Sequence, residues 1–149
     1  MLYTIGEMAK KLEVAPSTLR YYEKEGLLPF VERSNGGIRM FGDRGYELMS
    51  LIGCLKESGM SIKDIKIFIK WMEEGDSTID QRLALFERQR QATLKQMEQL
   101  QETLDTLNYK CWYYETAKKA GTCAVHENMT SDDIPENVRT AYERMKGHL

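Results

Sequence analysis

The run Ser17-Thr18-Leu19-Arg20-Tyr21-Tyr22 places two hydroxyls, a guanidinium and two phenols within six positions. These groups suit a polyanion. Hydroxyls donate to phosphate oxygens, and a guanidinium forks onto a phosphate or onto the O6 and N7 edge of guanine. Each has a plain structural alternative: Arg20 as a solvated arginine or a partner of Glu23, Ser17 and Thr18 as helix caps. Tyr21 and Tyr22 are adjacent, so on a helix their side chains diverge by about 100°. One can pack inward while the other presents its hydroxyl.

A second set of reactive groups comprises Cys54, Cys111, Cys123 and His126. A thiol becomes nucleophilic when partly exposed beside positive charge. Cys54 lies among Leu51, Ile52 and Leu55, and its neighbours three and four positions away are Ser50, Leu51, Glu57 and Ser58. None is basic and Glu57 opposes a thiolate, so the residues alone favour a buried small hydrophobe. Cys111, Cys123 and His126 form the one constellation with metal-ligand chemistry. The interval between the two cysteines is wide, and the spacing of Cys111 suits core packing. Both histidines, His126 and His148, lie in the polar C-terminal stretch. No acid–base or nucleophilic constellation results, so neither an enzyme nor a cofactor is expected.

The elements that must position these groups follow from periodicity and punctuation. Thr4-Ile5-Gly6-Glu7 is a capping-box pattern opening a first helix with Ile5, Met8, Ala9 and Leu12 on one face. Pro16 suits the first turn of a second helix carrying Leu19 and Tyr22, and Gly26 stops it. Two short helices joined by about four residues read as a helix-turn-helix. Phe30–Arg33 and Ile38–Phe41 alternate as strands around the turn cluster Ser34-Asn35-Gly36-Gly37. This hairpin, a wing, carries Arg33 and Arg39. A third helix from about Asp43 to Ser58 contains Cys54 and Lys56; a fourth opens at Ser61 and runs through Ile65, Phe68, Ile69 and Met72. The head is assigned to residues 1–72 and a linker to 73–77.

Residues 78–120 contain neither proline nor glycine. As a single helix they span roughly 65 Å, too long for a small domain to bury. Leu83, Phe86, Arg90, Thr93, Met97, Leu100, Leu104, Leu107, Cys111 and Tyr114 recur in steps of three and four, the seam of a coiled coil. A seam with no second long helix in the chain requires another molecule, so an antiparallel homodimer is expected. Residues 121–149 form a polar tail with a short helix after Pro135 carrying Val138, Ala141, Tyr142 and Met145. The fold class is therefore mainly α: a winged helix-turn-helix head followed by a long dimerisation helix.

Composition permits this reading without proposing it. The 149 residues carry a net charge of −2, and 42% are hydrophobic. From Lys10 to Arg44 there are seven basic and five acidic residues. The N-terminus lacks the basic and apolar regions of a secretory signal, and there is no transmembrane run. Three widely spaced cysteines suit a reducing cytoplasm.

Tyr3-Thr4-Ile5-Gly6-Glu7-Met8-Ala9, Ser17-Thr18-Leu19-Arg20-Tyr21-Tyr22-Glu23-Lys24-Glu25-Gly26-Leu27-Leu28 and Asn35-Gly36-Gly37-Ile38-Arg39-Met40-Phe41 together resemble the MerR family of transcription regulators. That resemblance implies a homodimer on double-stranded promoter DNA alongside RNA polymerase. It implies DNA contacts from Thr4, Ser17, Thr18, Arg20, Tyr21, Tyr22, Arg33, Arg39 and Lys56, with Tyr22 directed to phosphate and Lys56 to the backbone. The segments Ile52–Ile65 and Lys110–Ala117 are similar to the branch responding to aldehydes or nitrosative stress, the AdhR and NmlR group. There the cysteine at the position of Cys54 is the reactive thiol, and its modification activates transcription by distorting the promoter. Two alternatives stand beside this: metal sensing by Cys111, Cys123 and His126, and a DNA-binding dimer without a sensor.

Overall fold

The computed structural model describes residues 1–147, so His148 lies outside the described residues. Strand β1 (Tyr3–Thr4) leads directly into helix α1 (Ile5–Lys11). Thr4 caps that helix by accepting from the Glu7 amide at 3.3 Å, while the Glu7 carboxylate accepts from the Thr4 amide at 2.8 Å. This reciprocal box satisfies two donors that a helix start otherwise leaves orphaned. The chain turns through Glu13, whose φ of 56° is unusual for a residue with a Cβ.

Helix α2 (Pro16–Lys24) follows, and Gly26 ends it with φ of 75°, a conformation that costs glycine little. Strands β2 (Val31–Arg33) and β3 (Arg39–Phe41) form the wing, pairing Val31 with Phe41 and Arg33 with Arg39. The tight turn rests on Ser34 donating to the Ile38 carbonyl at 2.8 Å and on Gly37 at φ 76°. The hairpin becomes a three-stranded sheet in the order β1-β3-β2, because Tyr3 pairs with Phe41. Sequence reasoning missed β1, since two residues are too few to show alternation.

Helices α3 (Asp43–Glu57) and α4 (Ile62–Glu74) complete the layer behind α2. Met8, Leu19, Leu27, Phe41, Ile52 and Ile65 are the largest fully buried side chains, one or more from each of α1, α2, the wing, α3 and α4. Burying such a side chain contributes about 1.5–3 kcal/mol.

Helix α5 (Ile79–Ala120) is 42 residues long and follows a single 3₁₀ turn at Asp76–Thr78. Thr78 is buried, its hydroxyl donating to the Gly75 carbonyl at 2.8 Å, and Arg82 donates to the same carbonyl at 2.9 Å. The junction is thus fastened rather than loose. The compact N-terminal unit extends from Met1 to Arg90, and the second begins at Gln91. That first unit takes in the expected linker at 73–77 and the first turns of α5. Leu85 is buried in the head's core, Phe86 meets Phe68 edge-on at 5.1 Å, and Gln89 donates to the Ser58 carbonyl at 2.8 Å. The first turns of α5 supply apolar surface that the short head helices need.

Phe86 therefore leaves the expected seam. The remaining large seam residues, Leu83, Met97, Leu100, Leu104, Leu107 and Tyr114, are all about half exposed or more, with Leu100 at 69%. The second unit has its own small core, in which Tyr109 meets Ile134 and, from helix α6 (Glu136–Lys146), Val138, Ala141 and Tyr142. Among the described residues no helix is long and apolar enough to cross a membrane.

Candidate nucleic-acid interface

The start of α2 is open. Its N-cap is Ala15, which offers no side-chain cap, and no acidic residue occupies the first turn. Ser17 and Thr18 thus do not serve as the caps that were their plain alternative. Ser17 is exposed, at the positive end of the helix dipole where anions are favoured.

Arg20 is exposed and has no carboxylate partner among the described residues. Its suggested partner Glu23 is occupied by Arg39 of the wing. Glu25, near the other end of α2, pairs with Lys66 of α4 at 3.0 Å. The C-terminal part of the helix is therefore held by one cation from the wing and another from α4. Sequence reasoning missed Lys66, because its partner lies forty-one positions away and no local pattern announces the pair.

The tyrosines separate as their angular offset requires. Tyr22, three residues after Leu19, shares the inward stripe and is 5% exposed, whereas Tyr21 is 41% exposed. The ring of Tyr22 belongs to the core, and Tyr21 is the phenol more exposed to solvent. Burial, followed by the nearby Glu57 carboxylate, raises the Tyr22 pKa above its ordinary value. Lys56, in the last turn of α3, sits 5.3 Å from the Tyr21 ring centroid and 5.1 Å from that of Tyr22. The aromatic faces thus orient its ammonium beside α2.

On the wing, Arg33 and Arg39 are directly opposite across the β2–β3 ladder, and both are exposed. Like charges in such a pair repel, so Glu23 relieves Arg39 while Arg33 remains available to an anion. Thr4 is committed differently, its hydroxyl donating to Glu7 at 2.8 Å within the α1 cap. Together Arg20, Tyr21, Arg33, Arg39 and Lys56 surround α2 with donors of the kind that phosphate and base edges accept.

Cys54 is exposed, which corrects the buried reading that its apolar neighbours favoured. It lines a groove of about 310 Å³ with Leu12, Leu19, Tyr22, Met49 and Glu57. The periodicity of α3 explains this: Ile52 and Leu55 take the inward face and turn Cys54 away from it.

Cys111, Cys123 and His126 are not assembled as ligands. No group of three or more potential metal-binding side chains occurs among the described residues. The two ring nitrogens of His126 are engaged by the Tyr113 carbonyl at 2.9 Å and the Met129 sulfur at 3.3 Å. Its ring stacks on Tyr113 at 3.8 Å. Cys111 is exposed on α5.

Residues 3–70, spanning the helix-turn-helix, the wing and most of α4, match the model of the MerR HTH family regulatory proteins. An HTH-type transcriptional regulator of Haemophilus influenzae is 45% identical over 122 residues, covering 82% of this chain and 90% of that protein. The chain belongs to the MerR family.

Two further comparisons place this MerR-family regulator in the NmlR and AdhR branch. It superposes on the crystal structure of HiNmlR, a MerR family regulator lacking the sensor domain, bound to promoter DNA. The TM-score is 0.81 at 43% identity, covering 91% of this chain and 100% of that one. The HTH-type transcriptional regulator AdhR of Bacillus subtilis is 32% identical over 91 residues, 61% of this chain and 65% of that protein. The chain is thus a DNA-binding transcriptional regulator, and its relatives are regulators rather than enzymes.

Proposed function

We propose that this regulator binds promoter DNA as a homodimer in the cytoplasm and converts modification of Cys54 into altered transcription by RNA polymerase. The exposed face of α2 carries the reading: Arg20 stands without a carboxylate partner among the described residues, flanked by the wing arginines and by Lys56. The homologous HiNmlR is bound to promoter DNA in its crystal structure, which supports the same use here.

The apolar stripe from Leu83 to Tyr114 on α5 supports dimerisation. Two such stripes packed antiparallel hold two winged heads apart, as a pseudo-palindromic operator requires. DNA distortion between the half-sites costs a few kcal/mol, of the order of 1–6 by elastic estimates. A steric change at Cys54, on the helix directly after the wing, is placed to alter that balance. The accessible thiol supports reaction with an aldehyde or a nitrosating agent.

Footprinting and in vitro transcription, with and without formaldehyde or a nitrosating agent, test both halves of the proposal. Protection of a palindromic site is expected, with induction lost in Cys54→Ser. Normal induction in Cys54→Ser excludes this cysteine as the input. DNA binding without any response supports a sensorless regulator.

A further inference from the structure

The second compact unit contains a cleft of about 380 Å³ that the DNA-binding reading does not use. Its size falls within the range of small-molecule sites, roughly 300–1,000 Å³. Aromatic rings dominate its walls: Tyr109 and Tyr113 from the last turns of α5, Tyr142 from α6, and His126 from the 3₁₀ turn Cys123–His126. Tyr109 and Tyr142 are 5.7 Å apart between centroids and tilted, while Tyr113 and His126 are stacked. Met129 and Ile134 add aliphatic surface. Such walls take a flat ring in offset or edge-on contact.

The charges around these rings are unequal. Lys146 lines the cleft with its ammonium 5.0 Å from the Tyr142 ring, and Glu127 is the one carboxylate among the described lining residues. Lys110 holds a second ammonium 5.6 Å and 5.2 Å from the Tyr109 and Tyr113 rings. A hydrogen bond with Tyr142 holds the Lys146 pKa above its ordinary value, so this group stays charged. A cationic ligand meets the Lys146 ammonium at the cleft wall, while Lys110, which does not line the cleft, already occupies a face of the Tyr109 and Tyr113 rings. His126 is in turn engaged through both nitrogens, which leaves it poorly suited to bind metal. The lining carries one ammonium and one carboxylate, so the aromatic walls and the place of Lys146 beside Tyr142 favour a flat ligand whose own carboxylate reaches Lys146.

We propose that this cleft binds a planar aromatic carboxylate of one or two fused rings, with its ring against the tyrosines and its carboxylate at Lys146. The contact to Lys146 is a charge-assisted hydrogen bond, the stronger kind, and the rings select against an aliphatic acid of equal charge.

Cys123 provides the readout. All three thiols are exposed, but among them only Cys123 lines this cleft. The full-length protein is alkylated with iodoacetamide in the presence of 2-naphthoate or benzoate, and each cysteine is followed by peptide mass spectrometry. At four times the dissociation constant the ligand is expected to slow alkylation of Cys123 about fivefold by simple occupancy. Cys54 and Cys111 are expected to be unaffected.

Lys146→Met is expected to weaken 2-naphthoate about tenfold, the loss of one charge-assisted contact. Lys146→Arg is expected to restore binding, and Glu127→Gln to tighten it. Binding of the uncharged 2-naphthalenemethanol is expected to be insensitive to Lys146→Met. The proposal is overturned by absence of protection at millimolar ligand, by equal slowing of all three thiols, or by protection that Lys146→Met leaves unchanged. It is also overturned if cyclohexanecarboxylate binds as tightly as benzoate. No arm uses DNA or modification of Cys54, so the result is independent of the regulatory reading.

Discussion

Arg39 on the second wing strand is ion-paired with Glu23 on the helix that presents Arg20 and Tyr21. The pair joins the two elements proposed to meet DNA together. Its partners are 49% and 25% exposed, so screening keeps its contribution to stability at or below about 1 kcal/mol. Its importance is geometric: it fixes where the wing lies against α2.

Arg39 can also meet phosphate, and the two roles separate by salt dependence. Arg39→Ala is expected to weaken binding across sequences and lower the slope of log K against log salt by about one. Glu23→Gln removes the tether but no cation, so the slope stays while affinity falls by less than about fivefold. Fluorescence anisotropy over a potassium chloride series distinguishes them. An unchanged slope in Arg39→Ala makes this residue a tether alone.

The burial of Tyr22 and exposure of Tyr21 predict opposite phenotypes from adjacent positions. Tyr22→Ala is expected to destabilise the head by about 3–5 kcal/mol, as other large aromatic-to-alanine core changes do. Tyr21→Ala and Arg20→Ala are expected to alter stability by no more than about 0.5 kcal/mol. Arg20→Ala is expected to cost about 1–3 kcal/mol of specific DNA affinity if it reads a base edge. Urea melts paired with binding to specific and scrambled duplexes measure both quantities.

Leu85 and Leu100 lie on the same helix and answer to different partners. Leu85 is 4% exposed in the head's core, so Leu85→Ala is expected to cost about 2–5 kcal/mol of stability. Leu100 is 69% exposed. Leu100→Glu is expected to leave the head folded, convert the protein to a monomer in sedimentation experiments, and abolish high-affinity operator binding. A Leu100→Glu protein that remains dimeric removes the seam from the dimer interface.

The α1 cap predicts an acid-sensitive contribution. Hydrogen bonds from the Thr4 amide and then the Thr4 hydroxyl lower the Glu7 pKa below its ordinary value. A carboxylate depressed in the folded state stabilises above its unfolded pKa, and that stabilisation is lost as pH falls through the folded value. Glu7→Ala is therefore expected to be less stable than the natural chain at neutral pH. The gap should narrow on acidification below the ordinary carboxylate range. A pH-independent gap in urea midpoints refutes the assignment.

The local grammar of the head was legible in residue order. Thr4 with Glu7, Pro16, Gly26 and the turn at Ser34–Gly37 are signals whose physics acts within a few positions, and each appears in the structure where it was read. The lack of proline and glycine over 78–120, with apolar steps of three and four, likewise determined a long helix with an apolar stripe. Tertiary structure decided what depends on partners distant in sequence. It set how deeply the Tyr22 ring is buried beside Leu19 and left Tyr21 in solvent. It drew Leu85 and Phe86 into the head, where Phe68 was available, so the compact N-terminal unit extends to Arg90. It turned Cys54 outward and left Cys111, Cys123 and His126 unassembled, since side-chain direction depends on which face each helix buries. Periodicity states that a helix has an apolar face; only packing decides what covers it.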